Sequence, residues 1–185
     1  IVLVYVVSVN YPKLQLISGF SAKSVASAHF IDNRSLELIE KSDNDIKLIR
    51  LANNSISEEE NYATSSVFGL QKRKAIFRKG LGSLLIDDAF DASKPYLVPK
   101  RIQPKINFPY PFGTNEPKDS TFSNVDYSKL NQAVANAFDE NNAVAKRTRS
   151  VLVLYKDHII AEKYADGFDK NSKILGWSMT KSITT

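Results

Sequence analysis

Arg149-Ser150-Val151-Leu152-Val153-Leu154-Tyr155-Lys156-Asp157-His158-Ile159-Ile160-Ala161-Glu162-Lys163-Tyr164 is the stretch whose reading decides the fold class. Two apolar runs rich in β-branched and aromatic residues, Arg149 to Tyr155 and Ile159 to Tyr164, flank the polar triplet Lys156-Asp157-His158. Runs of this length around so tight a break make an antiparallel hairpin. Just upstream, Leu130, Val134 and Phe138 recur at i, i+4 and i+8. That spacing gives a helix capped by Asp126 or Ser128 and running to about Asn141.

Further upstream, residues Ala92 to Val125 hold six of the seven prolines. Pro95, Pro99, Pro104, Pro109, Pro111 and Pro117 forbid a long helix or a central strand there. Tyr96, Phe108, Tyr110 and Phe112 argue for an extended segment pinned on a surface rather than a free linker. From Gly19 to about Ile86 most signals are those of strands. Ala22 to Asp32 reads as a short pairing run, and Asp45 to Leu51 alternates before a turn at Asn53-Asn54-Ser55. Ala63 to Phe68 and Lys74 to Ile86 are further strands, separated near Gly69, with Gly80 and Gly82 marking a bend. Leu36 to Ser42 reads as a short helix. The expected fold is therefore α+β, an antiparallel sheet with flanking helices.

The nine residues Ile1 to Val9 are nearly all apolar and β-branched. They are too few to span a bilayer, which takes about 20 helical residues. They read either as a buried strand or as the last turns of a signal anchor, and the sequence leaves both open.

Composition excludes several function classes. There is no cysteine, so neither a disulfide framework nor a thiolate site exists. His29 and His158 lack metal-ligand spacing, so no metal site is expected, and nothing calls for a cofactor. The net charge of +5 is mildly basic. Its densest cluster, Gln71 to Lys79, could meet phosphates or anionic headgroups. Alternation instead sends these charges to the solvent face of a strand, and no nucleic-acid-binding motif accompanies them.

Near the end stands Gly176-Trp177-Ser178-Met179-Thr180-Lys181-Ser182-Ile183-Thr184-Thr185. On a helix, residues three apart share a face, with Cβ atoms about 5–6 Å apart. Ser178 and Lys181 can thus meet without help from distant segments. A serine hydroxyl needs a base, and lysine serves when its pKa falls toward neutrality. The spacing alone is equally that of a helix-capping serine followed by a solvated lysine.

Context adds to the spacing. Arg149 to Thr185, read as hairpin, polar loop and then Leu175 to Thr184, resembles the β-lactamase-related serine hydrolases. These include class C β-lactamases, D-amino-acid peptidases, esterases and 6-aminohexanoate-dimer hydrolases. Gly19 to Lys23 and Arg78 to Gly82 are similar to the amino-terminal extension of membrane-anchored bacterial members. The resemblance implies that Ser178 is the acylated nucleophile and Lys181 its activator or general base. It also implies a small-molecule amide, ester or peptide substrate and a β-lactamase/transpeptidase-like fold. A periplasmic or cell-envelope location, with membrane association through the amino terminus, would follow. The family further needs a Tyr-x-Asn-like and a Lys-Thr-Gly-like element, which do not follow Lys181 here. The expectation is an amino-terminal piece of such an enzyme, inactive alone.

Four segments follow from this reading: residues 1–18 as anchor end and linker, 19–91 as extension, 92–125 as connection, and 126–185 as the start of the hydrolase domain. In the relatives, cysteines stand where this chain has Ala26 and Ser83. Their joint absence implies a disulfide there in the relatives, hence that Ala26 and Ser83 are neighbours on paired strands. The rival expectation is a non-catalytic cell-envelope binding module in which the Ser-x-x-Lys spacing is incidental.

Overall fold

The computed structural model describes residue 5 and residues 8–100, 102, 104–118, 120–138 and 146–184, with only the backbone at 183. Two units divide the chain: residues 1–100 with 173–185, and residues 101–172.

In the first unit, Pro12 begins a 3-10 turn, Tyr11–Lys13, that continues into α1, Leu14–Asp32. Asn33 ends α1 in the left-handed region (φ 55), its N–H returning to carbonyls of the last turn. After Arg34, Ser35 caps α2, Leu36–Lys41, by accepting from the Leu38 N–H at 3.2 Å. A 3-10 turn, Ile49–Leu51, leads into β1, Ala52–Ser57. Three more strands follow as an antiparallel meander: β2 (Tyr62–Val67), β3 (Leu70–Arg78) and β4 (Gly82–Ile86). Phe68 (φ 53) and Gly69 (φ 75) turn β2 into β3, the pair of left-handed residues that suits a tight hairpin.

The core lies between α1 and one face of this sheet. Ala22, Val25, Ala26, Ile39, Ala63 and Ala75 are fully buried, flanked by Phe30, Leu36, Ile56 and Leu85. Small residues let helix and sheet approach closely. A Cβ on Gly19 would stand 3.2 Å from Leu85 Cδ2. Two buried serines on α1 bond to the sheet: Ser18 donates to the Gln71 carbonyl at 2.6 Å, Ser21 to Asn54 Oδ1 at 2.6 Å.

The second unit holds α3, Tyr127–Asn136, and the hairpin of β5 (Ser150–Tyr155) and β6 (His158–Tyr164). Asp126 is the cap, accepting from the Lys129 N–H at 3.0 Å. Val134 and Phe138 are buried, and α3 packs on β6. Lys156 (φ 47) and Asp157 (φ 63) form the two-residue turn. The proline-rich stretch folds its aromatics into a loop in which the Tyr110 N–H donates to Asn115 O at 3.1 Å.

The α+β class and an antiparallel sheet are as expected; the sheet proves to have four strands, and several local readings need correction. Ala22 to Asp32 belongs to a helix, whose core-facing positions here are Ala, Ser and a single Val and so carry only a weak apolar period. Ala26 therefore sits on α1, not on a strand paired with β4. Residues 45–51 form turns, and Asn53-Asn54-Ser55 lies inside β1, where Asn54 accepts from Ser21 and Ser65 of the core face. The charges of the basic run do not all face solvent. Arg73 points to the helix side, its guanidinium 3.3 Å from the Ile86 carbonyl. Residues 5 and 8–10 are helical, not extended; the rest of the 1–7 segment lies outside the described residues, as does 139–141, the expected end of α3. α1 runs through the expected boundary at residues 18 and 19. Among the described residues, no helix is long and apolar enough to cross a membrane.

Candidate active site around Ser178

The chain reaches Ser178 along a segment tied to α1 at two points. The Lys173 N–H donates to Asp32 Oδ1 at 2.6 Å, at the carboxy-terminal end of α1. Four residues on, the Trp177 ring stacks on Phe20, with centroids 5.5 Å apart and planes at 17°. Such a pair contributes about 0.5–1.5 kcal/mol beyond the area it buries.

Between these ties Gly176 opens a helical turn. A Cβ there would lie 2.9 Å from the Thr180 Cγ2 methyl, so a larger residue would make the Thr180 side chain shift. Trp177 follows at φ 46, a left-handed conformation that costs a bulky L-residue roughly 1–2 kcal/mol. Ser178 is the second residue of the 3-10 turn Trp177–Thr180. The turn is closed by the Met179 N–H on the Gly176 carbonyl at 2.9 Å and by Thr180 Oγ1 donating to the Trp177 carbonyl at 2.6 Å. Lys181 starts α4, Lys181–Thr184, and its N–H returns to the carbonyls of Ser178 and Met179.

Both expected site residues thus lie in one continuous helical segment, three residues apart, and both are exposed. Among the described residues no hydrogen bond joins the Ser178 hydroxyl to Lys181. Trp177 is 61% exposed despite its stacking. What the arrangement offers chemically is a strained, solvent-facing turn that carries a hydroxyl at Ser178 and an amine at Lys181, three residues later. Among the described residues no three His, Cys, Asp or Glu gather where they could hold a metal ion.

Two features of this region escape sequence reasoning. The Trp177–Phe20 stack joins residues far apart in the chain, and no local pattern announces it. Phe20, Lys23, Ser24 and Ser27 form one stripe of α1 beneath Leu175 and Trp177. Their i, i+3, i+4, i+7 spacing was the available signal, hidden once the run was read as a strand.

Neither a protein-family model, nor a curated protein, nor a solved structure matches this chain.

Proposed function

We propose that Ser178 is the nucleophile of a β-lactamase-like serine hydrolase that cleaves an amide or ester through an acyl-serine intermediate, with Lys181 as its activating base. One observation carries the reading: Ser178 stands in a helical turn with Lys181 three residues later, on a segment whose backbone is strained at the residue before the nucleophile. Strain of that kind persists where the surrounding structure holds it, here through the Phe20 stack and Gly176.

In this reading Lys181 takes the hydroxyl proton as Ser178 Oγ attacks the carbonyl carbon, and the leaving amine or alcohol departs protonated. Water then attacks the acyl-serine and releases the acid. The hydroxyl and the amine do not touch at rest; catalytic hydrogen bonds often tighten only with substrate bound. A hydrolase of this kind also needs Tyr-x-Asn-like and Lys-Thr-Gly-like elements, which do not follow Lys181 within residues 1–185, so these residues alone should not turn over substrate.

Turnover in the protein carrying those elements tests this directly. Lys181→Met should lower kcat/KM for an activated ester by about 100-fold or more, the range of general-base contributions. Ser178→Ala should abolish it. Serine-dependent hydrolysis that is indifferent to Lys181 contradicts the assignment.

A further inference from the structure

The stripe Phe20, Lys23, Ser24 and Ser27 of α1, together with Leu175 and Trp177, lines a cavity of about 280 Å3. That is near the lower end of small-molecule pockets, which begin at roughly 300 Å3. Its lining divides into two chemistries. Phe20, Leu175 and Trp177 supply an apolar wall, fixed by the ring stack. Lys23, Ser24 and Ser27 add only a small polar patch to this mainly apolar lining, with the Ser24 hydroxyl itself buried.

Of these groups the ammonium only donates, while the hydroxyls can donate or accept. Lys23 Nζ donates to Ser27 Oγ at 2.9 Å. Ser24 is 5% exposed, and its buried hydroxyl has no hydrogen-bond partner. A serine inside a helix ordinarily bonds back to the carbonyl four residues before it, and a buried hydroxyl left without a partner is costly. No carboxylate lines the cavity. The ammonium has three donor hydrogens, of which Ser27 takes one, and Ser24 adds another. The complement to such a wall is an acceptor that carries negative charge, joined to an apolar body.

We propose that this cavity is a binding site for a small monocarboxylate with an apolar body, aliphatic or aromatic. The carboxylate accepts from Lys23 Nζ and Ser24 Oγ, and the body lies against Phe20, Leu175 and Trp177. Partial burial also lowers the pKa of Lys23 from the usual lysine value, although Lys23 as a whole residue is exposed. A bound anion removes that penalty by pairing with the ammonium. An inorganic anion leaves the apolar wall unused, and a neutral alcohol leaves the cation unpaired. This site does not depend on Ser178 being acylated.

Trp177 is the only tryptophan, so its fluorescence reads the cavity directly. Chain 1–185 is titrated with hexanoate and, separately, with 1-hexanol, the uncharged analogue of equal chain length. Hexanoate should give a saturable change, with at least tenfold tighter binding than hexanol. Lys23→Gln should weaken hexanoate at least tenfold, and Ser24→Ala several-fold, with the thermal midpoint of both variants showing that the fold is kept. Ser178→Ala should leave the affinity unchanged. No saturable response, equal binding of acid and alcohol, or full affinity in Lys23→Gln overturns the proposal. Loss of binding in Ser178→Ala would overturn it too, by placing the ligand at Ser178.

Discussion

At the scale of single residues, the least replaceable side chain outside the candidate site is Arg34. Its side chain is 4% exposed, and it faces two carboxylates: Asp32, 2.9 Å from Nε, and Asp43, bonded to Nη1. The Asp32 contact is one of charge rather than of hydrogen-bond geometry. Asp32 also holds the segment leading to Ser178. Arg34→Ala leaves two buried carboxylates without their counter-charge and should cost about 3–5 kcal/mol, read as the shift in urea midpoint. A loss below about 1 kcal/mol would show that water reaches the pair. In the other unit, Tyr164 donates to Glu162, and its pKa is pushed up to about 12 by that hydrogen bond first, then by burial and nearby negative charge. A raised phenol pKa stabilises the fold below the unfolded value of about 10 and is lost as pH rises from there toward 12. Ultraviolet titration of the eight tyrosines should contain one late step, absent in Tyr164→Phe and moved toward 10 in Glu162→Gln. A late step that survives Tyr164→Phe contradicts the assignment. The Arg34–Asp43 pair and the tie of Lys173 to Asp32 were not legible in the sequence, because folding rather than spacing joins them. Glu162 and Tyr164, by contrast, stand two apart on β6 and share a face by strand spacing alone. Ser178 and Lys181 were legible because their relation is local.

At the scale of elements, legibility followed the size of the side chains. The β5–β6 hairpin, α2 and the Val134–Phe138 face of α3 were read correctly, since large apolar residues or a capping serine announce them. α1 was misread because its core face is built from Ala, Ser and Gly, chosen for close approach rather than for area. With Ala26 on α1 and Ser83 on β4, the expectation that they are neighbours becomes one of a helix-to-strand contact rather than of paired strands. Phe30, one turn after Ala26, stacks on Phe77 at 5.5 Å, and Phe77 is the register partner of Ser83. Ser83 Oγ is buried without a partner, and Leu85, two residues on, packs on the core. Ala26→Cys with Ser83→Cys should form a bridge under oxidation, which requires Cβ atoms about 3.5–4.5 Å apart. The bridge should raise the unit's stability by a few kcal/mol, about 2–4 in typical cases. Thiols that stay reduced in the folded double variant would mean that the two positions lie beyond bridging range.

At the scale of the whole molecule, the α+β class and the antiparallel sheet were readable, but the division into units was not. Residues 173–185 leave the hairpin unit and belong with α1, tied there by Asp32 and Phe20. Local pattern has no means to show such a return, because the contacts that fix it span more than 140 residues of sequence. The return bears on the central claim, since it is α1 that holds the strained turn carrying Ser178. The most direct measurement is to treat the full-length protein with a serine-directed phosphonate and to map the adduct by peptide mass spectrometry. A single adduct on Ser178, absent in Ser178→Ala and formed about 100-fold more slowly in Lys181→Met, is the predicted result. Labelling that persists in Ser178→Ala, or an adduct on any other serine, would contradict it.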